Sequence, residues 1–143
     1  MSVTRESLLG AWTLVEWRID IDGALNPAWP FGRDATGLIV YAPSGWMSAT
    51  LSERQRTPLS AASVRQADER SRARAMSEYL AYTGRWTLAG DSVVHEIAES
   101  LNPVLLGTRQ VRSVSFEAGD LVLSAVESAG GGRRTHRLRW RRS

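Results

Sequence analysis

The sequence predicts a mainly β protein, an eight-stranded antiparallel up-and-down barrel with one helix inserted between strands three and four. Three observations carry this. Eight runs of alternating apolar and polar residues follow one another, separated by short turn-forming segments. A single stretch, from about Ser60 to Tyr79, changes to alanine, arginine and acidic residues. The runs come in meander order, with no repeat, low-complexity block or linker between them.

A short helical turn precedes Gly10, and Ala11 to Asp20 alternates as strand one, ending at Asp22-Gly23. The flap from Asn26 to Gly32 holds Asn26-Pro27, Trp29-Pro30 and Phe31-Gly32. It cannot extend a ladder, but it can fold over a barrel mouth and order there on ligand binding. Thr36 to Ala42 and Trp46 to Leu51 form a hairpin around Pro43-Ser44-Gly45. In the helical stretch, Ser63 and Gln66 have capping-box spacing and Asp68 precedes Arg72 by one turn. Val64, Ala67, Ala75, Met76, Tyr79 and Leu80 supply an apolar face to dock on the barrel. Strands follow at Tyr82 to Leu88, Ser92 to Ala98, Thr108 to Glu117, Leu121 to Ser128 and Arg134 to Arg141. Their turns are Ala89-Gly90-Asp91, Ala118-Gly119-Asp120 and Gly130-Gly131-Gly132.

The 143 residues suffice for one domain, 1–143, with its own core. The absence of cysteine excludes disulfides, thiolate nucleophiles and thiolate-ligated metals. All 18 basic residues are arginine, which excludes lysine Schiff bases and the lysine of a phosphate-binding P-loop. The isoelectric point of about 10.1 raises the question of nucleic acid. However, Thr135, Arg137, Arg139 and Arg141 alternate with His136, Leu138 and Trp140, the pattern of a strand with one solvated and one buried face. No partner nucleic acid is expected, and neither is a membrane, because no apolar run is long enough to span one or to serve as a signal peptide. The expected location is cytoplasmic; a homodimer is left open.

Leu9-Gly10-Ala11-Trp12, Pro30-Phe31-Gly32, Gly37-Leu38-Ile39-Val40-Tyr41, Gly45-Trp46-Met47-Ser48-Ala49, Tyr79-Leu80-Ala81-Tyr82-Thr83-Gly84, Ser100-Leu101-Asn102-Pro103 and Gly107-Thr108-Arg109-Gln110-Val111-Arg112 follow one another along nearly the whole chain. Through these segments it resembles the small bacterial and fungal lipocalin-like domain family of calycin-type β-barrels. The resemblance implies that Gly10 admits close backbone approach, that the Trp12 indole plugs one barrel end, and that the interior holds a small ligand. Roles in such families are diverse. Some lipocalin-like barrels in natural-product pathways catalyse cyclisation or isomerisation without a cofactor, and fold alone does not choose among them.

Period-two alternation, with Trp12 taken as inward, places Leu14, Glu16 and Arg18 on its face. Ile39 and Tyr41, Met47 and Ala49, and Tyr82, Gly84 and Trp86 form inward sets, as do Gln110, Arg112, Val114 and Phe116. Val93, His95 and Ile97 oppose Val94 and Glu96 without a decision from hydrophobicity. Glu16 and Arg112 then form a candidate buried pair with His95 beside it, and these three are the candidate catalytic residues. Arg112 would hold a ligand oxygen, Glu16 would move a proton, and His95 titrates in the useful range. The alternatives are a barrel-end ion pair and a histidine hydrogen-bonded to its neighbours. The ligand-contacting candidates are Trp29, Phe31, Tyr41, Trp46, Met47, Tyr79, Tyr82, Trp86, Asn102 and Gln110. Trp29 and Trp46 are expected at the cavity mouth.

Two histidines without an acidic cluster predict no metal site and no cofactor, with His95 as a single axial haem ligand the alternative. The function expected is binding of, or action on, an apolar or aromatic metabolite, as a cofactor-independent cyclase or isomerase in biosynthesis. A passive carrier or sensor and an arginine-edge interaction module are the other classes. Polar groups converging on one point of a cavity favour catalysis, a uniformly apolar cavity favours carriage, and a filled barrel favours interaction.

Overall fold

The computed structural model describes residues 2–22, 27–129 and 132–143. Helix α1 (Arg5–Leu8) leads into β1 (Gly10–Ile21). Then β2 (Thr36–Tyr41), β3 (Trp46–Ser52), α2 (Glu69–Ser77), β4 (Tyr79–Ala89), β5 (Ser92–Ser100), β6 (Arg109–Glu117), β7 (Asp120–Ala129) and β8 (Gly132–Arg142) follow, with a short 3-10 turn, Pro103–Leu105, after β5. Each strand pairs antiparallel with its neighbours in sequence and β8 returns to β1, so the sheet closes and has no free edge. Among the described residues no helix is long and apolar enough to cross a membrane.

Antiparallel order puts alternate connections at opposite ends. The tight β2–β3, β4–β5 and β6–β7 turns share one end with α1. There Ala118 and Gly119 both take positive φ, 51° and 85°, which matches the turn to the twist of its strands. This end is closed. Thr4 caps α1 through a reciprocal capping box with Ser7, which sets fully buried Leu8 beneath the barrel. The Trp12 indole donates to the Leu8 carbonyl at 2.9 Å, and the Arg142 guanidinium lies 4.1 Å from the indole centroid. Tyr41, Met47, Trp86, Val93, Val114 and Leu121 fill the space above them. Burying each such side chain contributes about 1.5–3 kcal/mol, so this end is where the fold gains most. The longer β1–β2, β3–β4 and β5–β6 connections lie at the other, open end.

Two irregularities shift the faces of the strands. The β1–β8 register slips between Leu14 and Glu16, so Trp12 and Leu14 point inward before the bulge and Trp17 and Ile19 after it. A second slip separates Thr83 from Gly84 in the β4–β5 pairing. A Cβ on Gly84 would sit 1.8 Å from the Glu96 carbonyl oxygen, so only glycine permits this approach.

The helix is shorter than the sequence pattern predicts. Residues 60–67 turn without forming a helix. Asp68, not Ser63, caps α2 by accepting from the Ser71 amide at 2.7 Å, while its own amide donates to the Ser60 hydroxyl at 2.8 Å. The expected apolar docking face forms only in part: Ala67 is buried and Leu80 packs on the core from β4, but no side chain of α2 itself is buried, and Val64 and Met76 are exposed. Polar ties hold the segment instead. Arg56 donates to the Ala75 carbonyl, and buried Glu78 accepts from the Thr57 amide at 2.8 Å. Of the flap, Asn26 lies outside the described residues, as do Gly23 of the first turn and Gly130 and Gly131 of the last. Ala28 bridges to Ile19, and Phe31 meets the Trp17 ring edge-on at 5.1 Å.

Candidate functional site

Above the plug the barrel holds a cavity of about 440 Å³, within the range of small-molecule pockets. Ile39, Ala49, Leu51, Leu80, Leu123, Ala125, Leu138 and Trp140 make its walls apolar. Asn102 and Leu105, from the β5–β6 connection, reach it at the open end. Two groups of polar side chains interrupt these walls.

The deeper group centres on His95 of β5, 1 % exposed. Its Nε2 lies 2.7 Å from the Tyr41 hydroxyl and its Nδ1 2.7 Å from the Tyr82 hydroxyl. Burial, assisted by the charge of Arg112, depresses the His95 pKa to about 3, so the imidazole is neutral. Burial likewise raises both tyrosines above their ordinary value, Arg112 opposing. One ring nitrogen therefore accepts and the other donates. If Nε2 carried the proton, the Tyr41 O–H would face the dry core with no acceptor among the described residues, a cost of about 1–3 kcal/mol. With Tyr41 donating to Nε2 and Nδ1–H donating to Tyr82, the Tyr82 O–H is left free at the cavity. The chain ends on a hydrogen-bond donor. It is a poor store for a proton, because its terminal states are a buried imidazolium or a buried phenolate.

Arg112 of β6 lines the same wall. Nη1 donates to the Val111 carbonyl at 3.0 Å and Nη2 to Gln110 Oε1 at 3.3 Å, while Gln110 Nε2 donates to Thr108 at 2.9 Å. Among the described residues no carboxylate lies within 4.0 Å of Arg112.

The second group sits on β1, β7 and β8. The Trp17 indole donates to His136 Nδ1 at 3.3 Å, and His136 Nε2 lies 2.9 Å from Glu127 Oε2. An indole only donates, so Nδ1 accepts and Nε2–H donates to the carboxylate, which fixes the tautomer. Hydrogen bonding from His136 lowers the Glu127 pKa. Trp17, Glu127 and His136 all line the cavity, and the alternation of the last strand already marked His136 as inward.

Of the candidates named from sequence, Tyr82, His95, Asn102, Gln110 and Arg112 meet at the cavity. Glu16 does not: the bulge turns it outward, 3.7 Å from Arg18 and 3.8 Å from Arg137. Tyr41 stands behind His95, and Met47 and Trp86 belong to the packed closed end, where Trp86 Nε1 donates to the Ala42 carbonyl. Trp46 is on the outer face under Arg85, beside a turn of the closed end rather than at the mouth. Tyr79 precedes inward Leu80 and so faces out, under Arg56. Trp29 stacks with Arg33, and Phe31 leans on the lining residue Trp17, but neither lines the cavity.

Both nitrogens of His95 are engaged, leaving none for a haem iron, and among the described residues no three His, Cys, Asp or Glu side chains gather as a metal site. On the outer face of β8, Arg139 and Arg141 hold Asp120 at 2.7 and 3.0 Å, and Arg137 pairs with Glu117.

No curated protein and no solved structure matches the chain. A family model described as the lipocalin-like domain matches residues 9–143, almost the whole length, and agrees with the closed eight-stranded barrel and its interior cavity: the chain belongs to the lipocalin-like domain family.

Proposed function

We propose that this barrel binds one small, largely apolar molecule in its cavity and holds a polar end of it against Tyr82 and Arg112. The observation that carries the reading is an apolar cavity of about 440 Å³ with polar side chains converging on one wall. The arginine-edge reading draws less support, because Arg137, Arg139 and Arg141 of β8 are paired with acidic neighbours.

A cofactor-independent cyclase or isomerase is the finer reading, and the Tyr41–His95–Tyr82 chain favours one form of it. The hydroxyl and guanidinium can polarise a ligand carbonyl while the walls fold an apolar chain into a reactive conformer. An isomerisation that needs a general base finds less support, since neutral His95 already uses its lone pair on Tyr41. A passive carrier uses the same contacts without turnover.

1-Aminoanthracene, a neutral polycyclic probe whose fluorescence rises in apolar surroundings, tests binding directly. Saturable one-site enhancement is expected, with loss of at least about tenfold in affinity in Ala125→Trp, which fills the cavity near its mouth while the folding transition persists. Enhancement of equal strength in the filled variant would place the probe elsewhere and remove the reading.

A further inference from the structure

The unsatisfied polar side-chain groups on the cavity's inner wall are all of one kind. Arg112 spends two of its N–H groups on neutral acceptors, the Val111 carbonyl and Gln110 Oε1, and the rest find no side-chain acceptor among the described residues. The Tyr82 O–H is freed by the His95 tautomer that keeps Tyr41 satisfied. Trp140 lines the cavity and its indole N–H, enclosed in the adjoining core, has no partner either. At the mouth, Asn102 Oδ1 is consumed by the Val104 amide at 3.1 Å, which leaves only its Nδ2 donors. The acceptors nearby are already used: His95 by Tyr41, and Gln110 by Arg112. The free carboxylate oxygen is that of Glu127, whose side chain is half exposed and belongs to the His136 group.

A wall of donors including one guanidinium without a counter-charge requires acceptors, and an anion in particular. A buried or half-buried cation left unpaired is costly, and a ligand that brings the missing charge relieves that cost on entry. A carboxylate offers only acceptors, with two oxygens that match the fork of a guanidinium and leave a lone pair for a phenol. The apolar walls then take the remainder of the molecule.

Building on the cavity-binding reading above, we infer that the ligand class of this barrel is an apolar carboxylic acid bound as its carboxylate, with the oxygens on Arg112 and the Tyr82 hydroxyl and the hydrocarbon toward Leu51, Leu80 and Leu123. An alcohol or ester of the same skeleton carries acceptors but no charge. An amine brings donors and a like charge, and is rejected.

The experiment is calorimetric titration of the full chain with two acids of different shape, dodecanoate and 2-naphthoate, each beside its methyl ester and the primary amine of the same skeleton. At least one acid is expected to bind about tenfold or more tightly than its ester, with the amines weakest. Arg112→Gln should bring acid and ester within about threefold of one another, and Tyr82→Phe should weaken the acid by a smaller factor. Ester binding as tight as the acid in the unsubstituted protein, or an acid preference that survives Arg112→Gln, overturns the assignment while leaving apolar binding intact. If no member of either series binds and 1-aminoanthracene also fails, the cavity-binding reading itself falls, and the assignment with it. The acid and ester comparison in the unsubstituted protein decides the matter even if a variant does not fold.

Discussion

Trp12 and Trp17 share strand β1 yet stand in opposite halves of the barrel. Trp12 is 1 % exposed, bonded to the buried Leu8 carbonyl and enclosed by Phe116 and Arg142; Trp17 is only partly buried, with one side on the cavity and the other under Phe31 of the flap. The closed end is packed as a core and carries stability, whereas the barrel above it keeps the space of the cavity. The same side chain therefore does different work within a few residues. What separates the two positions is the bulge between Leu14 and Glu16, which re-aims the strand just where packing gives way to cavity.

The comparison breaks most directly by truncating both residues. Trp12→Ala should lower unfolding free energy by about 3–5 kcal/mol, since it removes a filled core side chain and leaves a void among rigid neighbours. Trp17→Ala should cost about 1–2 kcal/mol, because it enlarges a cavity that already exists. Urea unfolding of the two variants measures both. Equal losses would mean that the open half is packed as firmly as the closed one.

Legibility in the sequence divides along the same line. At the closed end the turn tripeptides, the inward sets on β2, β3, β4 and β6 and the plugging role of Trp12 all follow from period-two alternation, because strands there are regular and tightly joined. At the open end alternation alone misleads. Carrying Trp12's parity through β1 brings Glu16 inward and hides Trp17, although the apolar positions themselves shift from Trp12 and Leu14 to Trp17, Ile19 and Ile21, and that shift is a readable mark of a bulge. Trp46 reads as a mouth residue because it adjoins a turn, but which end a turn occupies depends on strand direction across the whole meander. The helical pattern overreaches because Ser63 and Gln66 have the spacing of a capping box, while Asp68 provides the actual cap through its bond from Ser71. The convergence of Tyr41 and Tyr82 on one histidine is a long-range contact that no local pattern encodes.

His95 sits at the seam between the two halves and offers a sharper test. Its folded pKa, about 3, lies below the ordinary 6.5, so between those values the unfolded chain binds a proton that the native barrel excludes. The stabilisation is fully present above the unfolded value and is lost as pH falls toward the folded one. From pH 7.5 to 4.5 that single site should remove about 2–3 kcal/mol. Chemical denaturation across that window should therefore show a falling stability that His95→Gln largely flattens, while the His95 ring signals in the unsubstituted protein stay at their neutral positions. Titration of His95 near its ordinary value would show that water reaches it, and would move the boundary of the closed half below His95.

The smallest effect concerns the indole N–H at each position. Trp12→Phe strands the buried Leu8 carbonyl as well as changing shape, whereas Trp17→Phe removes one long hydrogen bond, 3.3 Å to His136, at a half-exposed wall. The stability cost of Trp17→Phe should be about 0.5–1 kcal/mol. Its diagnostic consequence is chemical: without an indole donor on Nδ1, His136 is no longer restricted to the Nε2–H tautomer, although its Nε2 bond to Glu127 still favours that form. Nitrogen-15 shifts of the neutral ring should show Nε2–H in the unsubstituted protein and a mixture of tautomers in Trp17→Phe. An Nδ1–H tautomer in the unsubstituted protein would mean that Trp17 does not donate to the ring. The mouth group would then reduce to an isolated His136–Glu127 pair, and the contrast between the two tryptophans would rest on packing alone.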